Sequence, residues 1–449
     1  MRIRRLFVAN RGEIAVRILR TAHRLGIESV LGASDPDLDS VAARLADRCV
    51  RIGPAPAARS YLNVAAIVEA ACTAGADALH PGYGFLSEDP ALARACEVAG
   101  IVFVGPAVAT LEAVGDKLSA RSHAQDAGVP VIAGGEAGSL AQAEQIAYRT
   151  GWPVLIKAVG GGGGRGLRRV EGPKALQDQL ELAISEAFAA FGNPRVYLER
   201  FVTAGRHIEV QILGDGHDLM HLGLRDCSVQ RRYQKLIEEA PVPQLSTALA
   251  SRVVAAAVAL GRRLRYRGAG TVEFLVDGAR EEFYFLEVNA RIQVEHAVTE
   301  MVTGLDLVAE QLAIAAGVPL QRAQGSIAIQ GHAIECRINA EDVGHDYRPS
   351  PGRVTRAVFP AGSGIRVDTH IEAGAIVSSF YDSLLAKIVV HARDRAGALE
   401  RMAAALARCA IEGVAVNTRL HERILTDPEF RRGGVDTGYL GRLLAAASG

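Results

Sequence analysis

"GWPVLIKAVGGGGGRGLRRV", residues 151–170, sets five consecutive glycines, an arginine and a sixth glycine between two apolar runs, and the element on the far side of the glycines decides the fold. Gly161, Gly163 and Gly166 satisfy G-x-G-x-x-G. That fingerprint, however, requires a helix directly after the loop so that a pyrophosphate meets the helix N-terminus. The pattern here predicts a strand, "LRRV", so the match is one of letters only. A Walker A loop fails because no Gly-Lys-Ser/Thr closes the run. A linker fails because apolar strands, not domain edges, flank it. There remains a glycine turn between two strands, whose backbone N–H groups can approach phosphate oxygens without a Cβ in the way. Lys157 sits just before it. Five glycines alone do not separate this reading from a surface hairpin with no ligand.

Upstream, alternating elements predict a parallel sheet with helices on both faces. They are the strand "LFVAN", a helix from Glu13 to about Leu25 stopped by Gly26, the strand "ESVLGAS", the helix "VAAIVEAACTAG", a strand at "ADALH", a helix near "ALARACEVAG" and the strand "IVFVG". Residues 1–114 thus form one α/β domain. A second unit spans 115–328. In it Ser139 with Gln142 predicts a capping box for the helix "LAQAEQIAYRT", and Gly172-Pro173 opens a helix through about Phe191. "RHIEVQILGDGHDLMHLGL" and "TVEFLVDGAREEFYFLEVNAR" read as hairpins. Residues 329–445, with short strands and the helix "AGALERMAAALARCAI", form a closing α+β unit.

Lys and Arg number 50 against 50 Asp and Glu, so the broad positive field of a nucleic-acid binder is absent and any polyanion site is a local pocket. Six cysteines without a C-x-x-C pair read as reduced thiols in a cytoplasmic protein. No apolar run reaches signal-peptide or membrane-spanning length.

The chemistry is carried by polar stripes on apolar strands. If "LEVNARIQVEH" (286–296) stays extended, Glu287, Asn289, Arg291, Gln293 and Glu295 share one face, with Val288, Ala290, Ile292 and Val294 on the other. Glu273 lies on the preceding strand of the same hairpin. Side by side with Glu287 and Asn289 it makes an all-oxygen site suited to Mg²⁺, which takes a few carboxylates, waters and substrate phosphates. By the same parity His207, Glu209 and Gln211 share a face. "RDCSVQRRYQKLIEEAP" adds Arg231, Arg232 and Lys235. Singly, each strand fits a solvated sheet face and the charge cluster fits ordinary surface. Together with the glycine turn they supply the parts of phosphoryl transfer.

With these residues in hand, the sequence resembles the biotin carboxylase family of the ATP-grasp superfamily. The resemblance runs from "VANRGEIAVRILR" nearly to the C-terminus through "HPGYGFLSE", "GDK", "IKAVGGGGGRG", "HIEVQIL", "RDCSVQRR", "EEAP", "RIQVEH", "TEM", "GHAIECRINAED" and "YDSLLAK". It implies an α/β and α+β architecture: an ATP-grasp domain with a mobile lid at about 130–201, between an N-terminal Rossmann-like (pre-ATP-grasp) domain and a C-terminal biotin carboxylase domain. It implies ATP, Mg²⁺ or Mn²⁺, bicarbonate, and biotin as a carrier-bound substrate. Lys117 and Lys157 resemble the ATP phosphate lysines, and Gly163 and Gly164 the centre of the lid. Glu199, Arg200, Phe201 and Val202 match the adenine hinge, and His207, Gln230 and Tyr233 further nucleotide contacts. Glu273 and Glu287 match the Mg²⁺ carboxylates, with Asn289 as a further ligand. Bicarbonate falls to Lys235, Arg291, the backbone of Val294, and Arg337. Glu295 resembles the base that deprotonates bicarbonate for attack on the γ-phosphate, giving carboxyphosphate. Arg337 resembles the residue that stabilises the biotin enolate.

Departures are Tyr233 for a usual His, Arg200 for a usual Lys, Ala290 and Ala297 where Thr or Pro is common, and Arg24 where an acidic residue helps pair two subunits. The chain has no Ala-Met-Lys-Met biotinylation sequence and no carboxyltransferase region. The resemblance therefore implies a separate subunit, a homodimer, meeting a biotin carboxyl carrier protein and a carboxyltransferase in trans. The enzyme so assembled is an acyl-CoA carboxylase such as acetyl-CoA carboxylase, in fatty acid biosynthesis. Alternatives are another ATP-grasp ligase with a different acceptor, or a scaffold subunit that has lost turnover.

Overall fold

The computed structural model describes residues 2–160 and 167–446. Gly163 and Gly164 lie outside the described residues. Five parallel strands, β1 (Arg5–Val8), β2 (Glu28–Ser34), β3 (Arg48–Gly53), β4 (Ala78–His80) and β5 (Val102–Phe103), form a sheet in the order β3-β2-β1-β4-β5. Helices cover it, which is why its inner strands β1 and β4 are short buried runs rather than alternating ones, while the edge strand β3, with Arg48 and Arg51, is largely exposed. The strand order reverses between β1 and β4, so the loops after these two strands flank a crevice. Asn10 ties the loops together by donating Nδ2 to the Pro81 and Tyr83 carbonyls at 2.7 and 2.8 Å.

The next four strands are β6 (Gly134–Glu136), β7 (Val154–Ala158), β8 (Leu167–Val170) and β9 (Val196–Arg200), in the antiparallel order β6-β9-β7-β8. The element after the glycines is thus a strand, with Leu167 opposite Lys157, and the helix a dinucleotide fingerprint needs is not there. This unit buries its own core, including Ile146, Val154, Ile156, Leu180 and Leu198, drawn from residues 137–198 alone. Ser139 caps the helix Leu140–Thr150 by accepting from Gln142 N. Gln142 Oε1 reaches back to Gly138 N at 2.8 Å rather than to Ser139 N, so the reciprocal half of the box closes one residue early.

An eight-stranded antiparallel sheet forms the body. Its strands are β10 (Arg206–Asp215), β11 (Leu219–Arg231), β12 (Gln234–Ala240), β13 (Arg267–Asp277), β14 (Glu282–Asn289), β15 (His332–Asn339), β16 (Ile365–Thr369) and β17 (Leu384–Ala392). The order is β14-β13-β10-β11-β12-β15-β17-β16. On one face Ile208, Val210, Ile212, Val272, Phe274 and Val276 pack under the helix Thr247–Arg263, whose Leu249, Val253, Ala257 and Leu260 enter the same core. The period of two therefore leaves Glu209, Glu273 and Glu287 in one row on the other face, since Glu209 pairs with Glu273 and Glu273 with Glu287.

One expectation needs correction. "LEVNARIQVEH" does not stay extended: β14 ends at Asn289, and the chain turns through 290–295 into the helix His296–Thr303. The cause is a long-range contact, because the Ala290 N–H bonds Glu88 Oε1 at 2.8 Å instead of continuing a ladder. Alternation therefore stops at Asn289, and the residues beyond it reach the site by a turn.

Candidate active site

Lys117 opens the helix Lys117–Asp126, whose N-cap Asp116 accepts from Leu118 N and Ser119 N. Lys157 on β7 lies 2.5 Å from Glu199 on β9. Burial, together with the like charge of Lys157, pulls the Lys117 ammonium down from its ordinary pKa, against the pull of Glu287 and Glu199. A buried ammonium with a second lysine nearby makes a seat for a polyanion, which relieves Lys117. At the end of β9 Arg200 donates to Tyr284 OH at 2.8 Å, the Arg169 guanidinium lies 4.3 Å from the Phe201 ring centroid, and Val202 is buried. His207 meets Gln230 Nε2 through Nδ1 at 2.7 Å and Glu273 Oε2 through Nε2 at 2.7 Å. Because the Gln230 amide also donates to the Cys227 carbonyl, its nitrogen is the donor to Nδ1, which leaves Nε2 as the nitrogen that faces Glu273.

The Mg²⁺ assignment can be tested on the carboxylates. Glu273 spends one oxygen on donors, with Lys235 Nζ, Asn289 Nδ2 and Gln293 Nε2 each at 2.8 Å from Oε1, whereas Oε2 has His207 Nε2 beside it at 2.7 Å and keeps a lone pair for a cation. Burial opposes its charge, but Lys235 and His207 prevail and hold it well below the ordinary range. Glu287 stands opposite without such donors, and burial and Glu273 push its carboxyl up. A divalent cation removes that penalty, so the residues present fit the ion.

The densest ion cluster surrounds Glu295. Lys235 Nζ contacts Glu209, Glu273 and Glu295 at 2.7, 2.8 and 2.7 Å. Arg337 donates Nε to Glu238 at 2.6 Å and Nη2 to Glu295 at 2.9 Å. Burial alone would lift the Glu295 carboxyl; Lys235, Arg337 and Arg225 outweigh it and hold it below the usual carboxylate range. Arg291 is clamped by Glu88 Oε2 on Nε (2.8 Å), Asn289 Oδ1 on Nη2 (2.8 Å) and the Ile292 carbonyl on Nη1 (3.1 Å). Of its five N–H groups two stay unspent among the described residues, a pair suited to a bidentate oxyanion. Val294 is fixed from behind by Lys387 Nζ, which donates to its carbonyl at 2.6 Å.

Leaving aside Gly163 and Gly164, which lie outside the described residues, the sequence-predicted residues lie around one site, with two at the margin: Arg200 turns to Tyr284, and Tyr233 is half exposed on the two-residue turn between β11 and β12. Both turn residues, Arg232 and Tyr233, have positive φ.

Comparison with known proteins now bears directly on this geometry. Residues 2–111 match the model for the biotin carboxylase N-terminal domain, 116–323 the carbamoyl-phosphate synthase L chain ATP-binding domain, and 335–442 the biotin carboxylase C-terminal domain. A Nostoc biotin carboxylase is 47% identical over 445 residues, 98% of this chain and 99% of the relative, and one from Pseudomonas aeruginosa is 48% identical over 447 residues, with the same coverage. The chain belongs to the biotin carboxylase family. Its fold matches a crystal structure of a Campylobacter jejuni biotin carboxylase–β,γ-ATP complex with TM-score 0.95 at 42% identity, covering 98% of this chain and 99% of the other. It matches equally (TM-score 0.95, 41%, 98% of each) the biotin carboxylase domain dimer of Hydrogenobacter thermophilus 2-oxoglutarate carboxylase, a complex with MgADP, ADP and bicarbonate. As a biotin carboxylase the chain is an ATP-dependent ligase that carboxylates biotin with bicarbonate, and its nucleotide is Mg-ATP. None of its described helices is long and apolar enough to cross a membrane.

Sequence reasoning missed two anchoring side chains. Glu88 reaches in from the first domain, in the loop just before the helix Pro90–Val98. Arg225 is completely buried and spends every N–H: Nε on Glu209, Nη1 on Gln211 (2.6 Å) and Thr299 (2.9 Å), Nη2 on Thr271 (3.0 Å) and Gln293 (2.7 Å). The available signal was the Arg225-Asp226 pair in the middle of a strand whose flanks are largely apolar.

Proposed function

We propose that the ion cluster around Glu295 is where bicarbonate is activated, with Lys117 and Lys157 on the β- and γ-phosphates of ATP and the hinge Glu199–Val202 beside the adenine. The single observation that carries this reading is the juxtaposition of one carboxylate, Glu295, with Lys235 and Arg337, beside an Arg291 that keeps two N–H groups for an anion. Glu273, Glu287 and Asn289 would hold Mg²⁺, which when bound neutralises phosphate charge.

Bicarbonate, gripped by Arg291 and the Val294 backbone, gives its proton to Glu295, and its oxygen attacks the γ-phosphorus as ADP leaves. The carboxyphosphate formed splits into CO₂ and phosphate, the phosphate takes the biotin N1 proton, and the biotin anion attacks CO₂. Glu295 is a weak base while Lys235 and Arg337 serve it alone. Anionic substrates that draw those cations off strengthen it at the moment it must accept a proton. Arg337 then faces the enolate. A cavity of about 410 Å³ at the crevice of the first sheet, lined in part by Arg11, Glu13, Tyr83 and Phe85, is the approach for biotin, because Glu13 in its wall lies 3.3 Å from Lys387, the cross-strand partner of Arg337.

With the division kept as 1–114, 115–328 and 329–445, closure of the lid at about 130–201 over the nucleotide is supported by the separate core that this segment carries, drawn from residues 137–198. Partners in this reading are a biotin carboxyl carrier protein and a carboxyltransferase in trans. The protein is a cytoplasmic homodimer, serving an acyl-CoA carboxylase such as acetyl-CoA carboxylase. Arg24 pairs with Asp306 of its own chain, so its place at a subunit interface rests on a guanidinium already engaged. The test is ADP release by purified protein with Mg-ATP and bicarbonate. Dependence on free biotin or biotinylated carrier is expected, and turnover indifferent to both bicarbonate and biotin would defeat the assignment.

A further inference from the structure

Behind Arg337 lies a pair of carboxyls that none of the steps above uses. Glu238 on β12 and Glu335 on β15 are direct cross-strand partners, and both are completely buried. Directly opposed residues on antiparallel strands point to the same face with Cβ atoms about 5 Å apart. Glu238 Oε1 accepts from Arg337, but Oε2 has no partner among the described residues, and neither oxygen of Glu335 has one. Three buried carboxyl oxygens without a donor, on two acids facing each other, are incompatible with two negative charges.

The surroundings explain which acid is neutral. Glu335 borders an apolar cluster of Ala240, Ala297, Val298, Ala333 and Val389, and its partner on β17 is Val389. The charged groups facing the pair are Arg337 on β15, Lys235 on β12, Lys387 on β17 and Glu295 at the head of the helix His296–Thr303. Lys387 is spent on the Val294 carbonyl at 2.6 Å, with Glu13 at 3.3 Å and Asp368 at 3.6 Å. Lys235 is spent on Glu209, Glu273 and Glu295, and Arg337 on Glu238 and Glu295.

We propose that Glu335 is a neutral carboxylic acid in the working enzyme and a positioning residue for the biotin step: it hydrogen-bonds Glu238 Oε2, keeping Glu238 anionic so that Glu238 and Glu295 hold Arg337 between them. Burial pushes the Glu335 carboxyl well above the ordinary range, and burial with Glu295 pushes Glu238 up to about 7 against the opposing pull of Arg337. Glu238 thus stands where one donated hydrogen bond decides its charge at neutral pH.

The inference rests on Arg337 serving the biotin step, so its test has one readout independent of that assignment. Infrared difference spectra of wild type against Glu335→Gln at neutral pH should show a protonated-carboxyl C=O band in wild type that the variant lacks. A carboxylate band in its place overturns the proposal whatever Arg337 does. In biotin-dependent ADP release, Glu335→Gln, which keeps a neutral donor, should stay within about threefold of wild type in kcat/KM for biotin. Glu335→Leu, which has none, should fall by about tenfold or more with the KM for ATP unchanged. A Gln variant as impaired as Leu, or a Leu variant equal to wild type, refutes the hydrogen bond. Should Leu fail to fold, the Gln variant and the infrared band still decide.

Discussion

Glu88 offers the sharpest test of how bicarbonate is held. It donates nothing to chemistry itself. Its two oxygens accept from Ala290 N and Arg291 Nε, each at 2.8 Å, so one carboxylate both ends β14 and aims the guanidinium. Glu88→Gln keeps the shape but sets an amide NH₂ against one of these two donors. The loss is one charge-assisted hydrogen bond, worth about 1.5–3 kcal/mol when well shielded. The Glu88 side chain is 38% exposed, which argues for the lower end of that range. About 1.5 kcal/mol corresponds to roughly tenfold in kcat/KM. The assay is initial-rate ADP release with bicarbonate varied at saturating ATP and biotin, then with ATP varied. The expected result is a bicarbonate KM raised about tenfold with the ATP KM unchanged, because Lys117 and Lys157 make no contact with Glu88. An unchanged bicarbonate KM, or an equal rise for ATP, would mean that Arg291 is aimed by Asn289 and the backbone alone, and the reasoning fails.

Three further outcomes rest on the same contacts. Arg225→Met strands Glu209, Gln211 and Gln293 in a dry interior, and should lower stability by about 3–5 kcal/mol, read from the urea midpoint; a loss below about 1 kcal/mol would mean that water enters to replace the guanidinium. Lys235→Gln removes the strongest pull holding the Glu295 pKa down, so that pKa rises. Since the ionised form is the base, the acid limb of the pH profile for bicarbonate-dependent turnover should move to higher pH, and an unmoved limb argues against Glu295 as the base. Glu287→Gln, removing a carboxylate whose main opposing cation is Lys117, should raise the Mg²⁺ concentration for half-maximal rate at least about tenfold, checked by metal titration at fixed ATP.

How far the sequence could be read depended on whether a residue's position is set by local periodicity. Glu273 opposite Glu287 was accessible because a hairpin's register is set by its turn and its alternation. The antiparallel partner after the glycines was accessible because "LRRV" is too short and too strand-like to open a helix. Arg291 and Glu295 were placed in the site for an incomplete reason, since the alternation that suggested them ends at Asn289. Glu88 was not accessible: it lies about two hundred residues away, and its effect on Arg291 arises only when two domains meet. Arg225 and Glu335 were hidden differently. A buried charge on an apolar strand looks like an interruption of the pattern until the partners that satisfy it, contributed by other strands, are known.

The same buried charges explain why the neutral overall balance of 50 basic and 50 acidic residues is compatible with the proposed anion site. Without substrates, the cations Lys235, Arg291 and Arg337 are already paired with Glu209, Glu273, Glu88, Glu238 and Glu295, so their orientation costs nothing when an anion arrives. Such pairing would waste them if every donor were spent, as in Arg225. It does not, because Arg291 keeps two N–H groups and Arg337 shares its Nη2 between two carboxylates. An oxyanion therefore enters by sharing donors rather than by expelling a carboxylate. Each donor it draws away leaves Glu295 less stabilised and hence more basic. Pre-orientation and activation of the base are thus two consequences of one arrangement: carboxylates that hold the cations firmly enough to aim them, yet leave donors over for the substrate.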